Sequence, residues 1–435
     1  MMHRRPSRVI SPSRNGVGIL GLLAKIPLPL KVLSSLGIGL TLGLLFPKSP
    51  IVKVIYLSGT YFPRCIVTLA AVLVFHLLAA AMAKLILHHK GQAGTLFFRI
   101  VTIYAVMGIV SLIYATIWLL FLSDIPLTLP GVALPTPFGW VRQIVGTFSH
   151  VLSQQPLLQA LGGGVLMGWL TARVPALRPA AYGFIAAGDW ILSGFRKLLW
   201  YYPIMIGCLA IGIPLKFGQR GLALYGRCVL WDMIVIVFWC AVMVLFCRAI
   251  TRRTWRQILS YYGTVWPTGF GTGGSYDTLA VNLVSAEADL GLSPEIAEIS
   301  IVFGTVLNKN CATMSVLLVT VIVAKLLGIP LSLLEVALLI PPVVILGLES
   351  PGIPGGAGYF MSPVIAAILH VKNPALWVTT FISFYSGLIP MFSTAGNTTD
   401  DGVVGAILED RFQHVPAQVE DGYLQGQAVF REKGA

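Results

Sequence analysis

From about residue 28 to residue 246 the chain runs as a succession of apolar stretches, most of them near the length that crosses a lipid bilayer. They fall at about 28–46, 66–87, 98–122, 157–170, 182–213 and 222–246. A hydrocarbon core is spanned by about 20 apolar residues in a helix. Backbone in that core must bond to itself, which a helix does within one segment. Charged residues are 11% of the chain, against about a quarter in a soluble domain. Most of the surface must therefore face lipid or other protein, and the expected fold class is all-α integral membrane. Around 127–150 the pattern softens, and Pro130, Pro135 and Pro137 break any long helix there.

The net charge of +13 raises the question of nucleic acid, and the positions of the basic residues answer it. Arg4, Arg5, Arg8 and Arg14 precede the first apolar stretch. Lys84, Lys90 and Arg99 follow the second, and Arg248, Arg252, Arg253 and Arg256 follow a later one. Basic residues gathered in short connections mark the cytoplasmic side, and nothing interleaves them with aromatics to grip a nucleic acid. This reading makes the chain a multi-pass protein of the inner (plasma) membrane with both termini cytoplasmic, although Lys48, Lys53, Lys216 and Arg220 then fall outside. The N-terminus lacks a signal-peptide layout, so the first apolar segment reads as a retained anchor. Six cysteines without a C-x-x-C pair support neither a zinc site nor a redox motif. They read as small packing residues.

The last third differs. Polar and Gly/Pro clusters interrupt its apolar stretches at 269–277, 308–310, 349–358 and 397–401. Backbone that leaves a helix inside hydrocarbon must be buried in protein or line a cavity. Glycine clusters also let helices approach closely, which is the reading for 162–164. At 271–274 and 352–358 the adjacent Asp277 and Glu349 favour hairpin tips instead. The order is a Gly-rich tip, then a broken helix, then both again, as in the paired repeats of secondary transporters.

Several short segments share one further likeness. Tyr202-Pro203-Ile204 looks like Y-A-P-I-G, and Thr278-Leu279-Ala280-Val281 like T-L-P-V. Asn308-Lys309-Asn310-Cys311-Ala312 stands where N-M-D-G-T is expected. Gly352-Ile353-Pro354-Gly355 is similar to G-V-P-G, and Asn397 with Asp401 matches N-x-x-x-D. In this order the chain resembles the dicarboxylate/amino acid:cation symporter family, which includes the glutamate transporters. The resemblance implies eight transmembrane helices plus two re-entrant helical hairpins in inverted repeats, a homotrimer and an elevator mechanism. It implies a cytoplasmic segment 1–27 and scaffold and trimerisation helices, with some transport-domain helix, in 28–255. A transport core follows at 256–412, with a cytoplasmic tail at 413–435; the acids Glu409 and Asp410 read with that polar tail. Within the core come hairpin 1 at about 256–289, broken helix 7 at 296–327, hairpin 2 at 335–370 and broken helix 8 at 372–412. The substrate positions it implies are Ser275, Tyr276, Asp277, Ser350, Ile353, Pro354, Gly355, Ser393 and Asn397. Its cation or coupling positions are Asn308, Lys309, Asn310 and Asp401.

The departures are informative. Pro390 replaces an aspartate that takes a substrate amino group, and Ser393 replaces an arginine that pairs bidentately with a second carboxylate. Asn310 replaces a sodium-binding aspartate, and Lys309 a methionine. A lysine in mid-membrane costs roughly 2.5–3.5 kcal/mol on insertion scales. The expectation is that its ammonium takes the space of a cation and pairs with Asp401, making transport sodium-independent. Lys309 is then either a fixed counter-ion or a proton carrier. Asp277 and Glu349 read equally as solvated tips or as an acidic lining that favours a cationic or zwitterionic substrate, and Asp400 as solvated. The leading function is secondary transport of a small organic solute, an amino acid or carboxylate, with no cofactor beyond a coupling cation. A transport-inactive scaffold and a channel stay open. An enzyme is disfavoured, since the histidines are scattered and neither H-E-x-x-H nor G-x-S-x-G occurs.

Overall fold

The computed structural model describes residues 26–88, 93–122, 156–198, 201–347, 350, 352 and 354–411. The soft stretch at 127–150, the tail at 413–435, Glu349 and Ile353 lie outside the described residues. Every regular element among the described residues is helical. They are α1 (Leu28–Leu45), α2 (Pro50–His88), α3 (Ala93–Leu122), α4 (Pro156–Arg173), α5 (Arg178–Leu198), α6 (Tyr202–Ala210), α7 (Gly212–Ile250), α8 (Trp255–Thr272), α9 (Ser275–Ala288), α10 (Pro294–Leu307), α11 (Asn310–Leu327), α12 (Leu333–Gly347), α13 (Gly356–Ile368), α14 (Pro374–Tyr385) and α15 (Leu388–Arg411).

By length and composition, 98–121, α7 and 299–327 can each cross a membrane, and α14 with α15 make a fourth span if that bent pair is one. Two expectations are corrected. The stretch at 66–87 is the later part of the much longer α2. The stretch at 182–213 is no single helix, because Pro203 opens a new one at the start of α6, where its missing N–H costs nothing.

Lipid tails are as apolar as leucine, so packing and polar contacts, more than hydrophobic burial, hold such helices together. Two groups of contacts follow. In the first, α2 packs on α4 and α5, with Lys84 paired to Asp189 at 2.6 Å. In the second, α15 is surrounded by α7, α8, α9, α10 and α11. Nearly all of α15 and α11 is buried. A helix enclosed on all sides can carry polar groups that a lipid-facing one cannot.

Polar contacts also close one end of this core. Glu409 Oε2 accepts from Ser293 N at 2.9 Å and Ser293 Oγ at 2.8 Å, ahead of α10. Asp410 Oδ2 accepts from Arg252 N at 2.5 Å. These acids, grouped with the tail by sequence, belong to the last turn of α15.

Gly168 carries the close approach of α4 to α2, since a methyl there would run into the Ala79 carbonyl. Gly162, in the same helix, has nothing within 4 Å. Gly168→Ala should therefore lower the thermal midpoint of the detergent-solubilised protein by several degrees, with Gly162→Ala unchanged. Equal shifts in the two variants would refute this packing.

Candidate functional site

The first tip lies between α8 and α9. Gly273 takes φ 63°, a left-handed conformation that glycine adopts without penalty, and its carbonyl accepts from Thr394 Oγ1 of α15 at 3.0 Å. Ser275 is buried in the first turn of α9, Tyr276 is half-buried, and Asp277 is exposed. The second tip meets the first. A methyl on Gly352 would stand 3.1–3.2 Å from Tyr276, Ser275 and the Thr305 carbonyl, and one on Gly274 would stand 3.4 Å from Pro354. Ser350 is buried, and its hydroxyl has no hydrogen-bond partner among the described residues. Gly355 takes φ 76° ahead of α13.

Between α10 and α11 the helix breaks at Asn308 and Lys309, at the 308–310 cluster. A break frees carbonyls at one helix end and N–H groups at the next, and each kind finds a partner here. Asn308 Nδ2 donates to the Asn397 carbonyl and to Asp401 Oδ1, both at 2.8 Å. Asn397 Oδ1 accepts from Cys311 N at 2.8 Å, so α15 supplies the N-terminal cap that α11 lacks. Lys309, 5% exposed, donates from Nζ to the carbonyls of Thr305 at 2.8 Å and Asn308 at 3.1 Å. A cation at the carbonyl end of a helix is favoured by the helix dipole.

Lys309 and Asp401 attract each other across the break, and Asn308 links them. Asn308 makes the contact with Asp401, and Lys309 turns onto the carbonyls of the break. Asp401 also receives Tyr104 Oη of α3, at 3.4 Å. Asp400, expected in water, is fully buried and accepts from Trp239 Nε1 of α7 at 2.9 Å.

The cluster at 397–401 is likewise no break. It lies inside α15, and the bend of 67° between α14 and α15 falls at Ser386–Gly387, where Gly387 takes φ 88°. Ser393, buried on α15, donates to the Pro390 carbonyl of its own helix at 3.1 Å. Asn310 is buried beside Asp400, and its side-chain nitrogen makes no hydrogen bond of ordinary geometry among the described residues.

One neighbourhood thus collects Ser275, Tyr276, Pro354, Asn308, Lys309, Asn397 and Asp401, with Ser393 on the same α15. Asp277 is at its exposed edge. Sequence reasoning missed Tyr104, Trp239 and Asp232, together with Tyr261 and Asn282, which hold the Thr398 carbonyl at 3.1 and 2.9 Å. Only Asp232 carried a signal, as a lone acid inside an apolar stretch.

The model of the sodium:dicarboxylate symporter family matches residues 28–411. The chain is 25% identical over 412 residues to the serine/threonine transporter SstT of Lacticaseibacillus casei, covering 91% of this chain and 92% of that one. It is 24% identical over 404 residues to the same-named protein of Enterococcus faecalis, covering 87% and 90%.

Asn308 and Asn397 act on one network. Asn308→Ala leaves the Asn397 carbonyl and Asp401 short of a donor, at about 1–3 kcal/mol. Asn397→Ala removes the cap of α11, at about 1 kcal/mol. The double variant should lose less than the sum of the two in thermal unfolding, as coupled neighbours do. Strict additivity would mean that the two do not share the network.

Proposed function

The chain belongs to the sodium:dicarboxylate symporter family, and from that premise we propose that it carries a small neutral amino acid such as serine or threonine across the plasma membrane. The observation that carries this reading is the meeting of the two tips with the broken helix and α15 around Ser275, Ser393 and Asn397. Helix N-termini at Ser275 and Asn310 suit a substrate carboxylate. Ser393 offers a hydroxyl where an arginine would select a second carboxylate, which agrees with relatives named as serine/threonine transporters.

In this reading α8 with α9 and α12 with α13 are re-entrant hairpins, and α10–α11 and α14–α15 are the broken helices of an inverted repeat. They belong to a fold of eight spans, with both termini cytoplasmic. The core of about 256–412 moves as an elevator against a trimeric scaffold. Lys309 takes the place of a coupling cation. In other transporters, unwound carbonyls at half-helix ends coordinate such an ion, and here the Thr305 and Asn308 carbonyls receive the ammonium instead.

Uptake by the purified protein in liposomes tests this. L-serine should enter saturably and equally with or without sodium, and Lys309→Met should lower uptake and make it sodium-sensitive. Ser393→Arg should shift preference from serine toward aspartate by roughly ten- to a hundred-fold, the worth of a charged hydrogen bond of about 1.5–3 kcal/mol. A strict sodium requirement in the native protein would end the Lys309 reading. No flux of any amino acid would leave a binding or scaffold protein.

A further inference from the structure

Asp232 is separate from the network described above. It lies in the apolar middle of α7 and is 1% exposed. Of the other two acids buried with it, Asp401 is held by Asn308 and Tyr104, while Asp400 accepts from Trp239 on Oδ2 and leaves Oδ1 without a hydrogen bond among the described residues. Asp232 Oδ2 accepts no hydrogen bond among the described residues. The Ser315 hydroxyl of α11 lies beside it and also bonds the Cys311 carbonyl at 3.0 Å. A hydroxyl has one hydrogen, so Asp232 at most shares it with that carbonyl.

The titratable groups within electrostatic reach are Cys228 on α7, Cys311 on α11 and Tyr385 at the end of α14. None is a cation. Tyr225 and Tyr202 lie beyond them, next to Cys228 and Tyr385, and neither is a cation; Tyr261, Tyr262 and Tyr104 gather around Asp400 and Asp401, and Lys309 toward Asp401. A carboxylate with one shared donor and no counter-charge at this depth is strongly disfavoured. A hard metal cation would need several oxygen ligands, and two of the neighbours here are thiols. No group of three metal-ligating side chains exists among the described residues.

We infer that Asp232 is a proton-binding site of the transport core, taking a proton on Oδ2 from water on one side of the membrane and returning it to water on the other. The O–H bond forms and breaks without any change of oxidation state, and water is the only co-reactant. The coupling role rests on the transport reading, since a static core has no second compartment into which to release the proton. Proton binding itself does not depend on that reading.

Infrared difference spectra of the full chain in liposomes, recorded between alkaline and acidic buffer, test the binding. A carboxylic-acid carbonyl band that titrates in the native protein should be missing in Asp232→Asn. Asp232→Glu should keep a titrating band at a shifted frequency, which makes the assignment even if the asparagine variant does not fold. A band unchanged in both variants, or no such band in the native protein, overturns the site. In liposomes loaded with a pH dye, the protons moved per L-serine should fall severalfold in Asp232→Asn, and an unchanged ratio overturns the coupling role. A native protein that moves no serine defeats the transport reading, while the infrared band still decides the site.

Discussion

A helix that stops halfway through a bilayer exposes carbonyls and N–H groups where no water can receive them. The break at Asn308 and Lys309 has this problem, and the core is arranged around its solution. Asn308 bonds to α15, α15 caps α11 through Asn397, and Lys309 returns to the carbonyls that α10 leaves open. These contacts explain why α15 and α11 are enclosed on all sides, since partners of this kind serve only where lipid is excluded. The two tips close over the same place, and Thr394 ties the first of them to α15.

Charge follows from that arrangement. Among the described residues the middle of the core holds one ammonium, Lys309, and three carboxyls, Asp232, Asp400 and Asp401. Each is treated differently: carbonyls for Lys309, an amide and a phenol for Asp401, an indole for Asp400, and a shared hydroxyl for Asp232. Burying such a set inside a membrane protein is tolerable only if most of the charge is cancelled within it. The Lys309 ammonium offsets part of that negative charge from within the core.

Much of this was legible in the residues. Apolar stretches of spanning length gave an all-helical membrane protein, and the Asn308–Asn310 cluster coincided with a real break because polar side chains there have backbone groups to satisfy. The same logic failed at Asn397–Asp401, where the polar residues serve a neighbouring break from within an intact helix, and at Asp400, whose partner Trp239 is 161 residues away in the chain. Composition signals that a polar group needs a partner, but it does not say whether that partner is local. The bend at Ser386–Gly387 went unread because a single glycine among apolar residues is an ordinary feature of packed helices.

The position of α15 bears on how the molecule is made. Asn308 and Asp401 are 93 residues apart in sequence, and α15 is the last described helix to be synthesised. Until it arrives, the Asn308 amide and the N-terminal end of α11 lack the groups that α15 brings them. The half-built core is thus left with unmet polar groups, and the arrival of α15 is the step at which these contacts close.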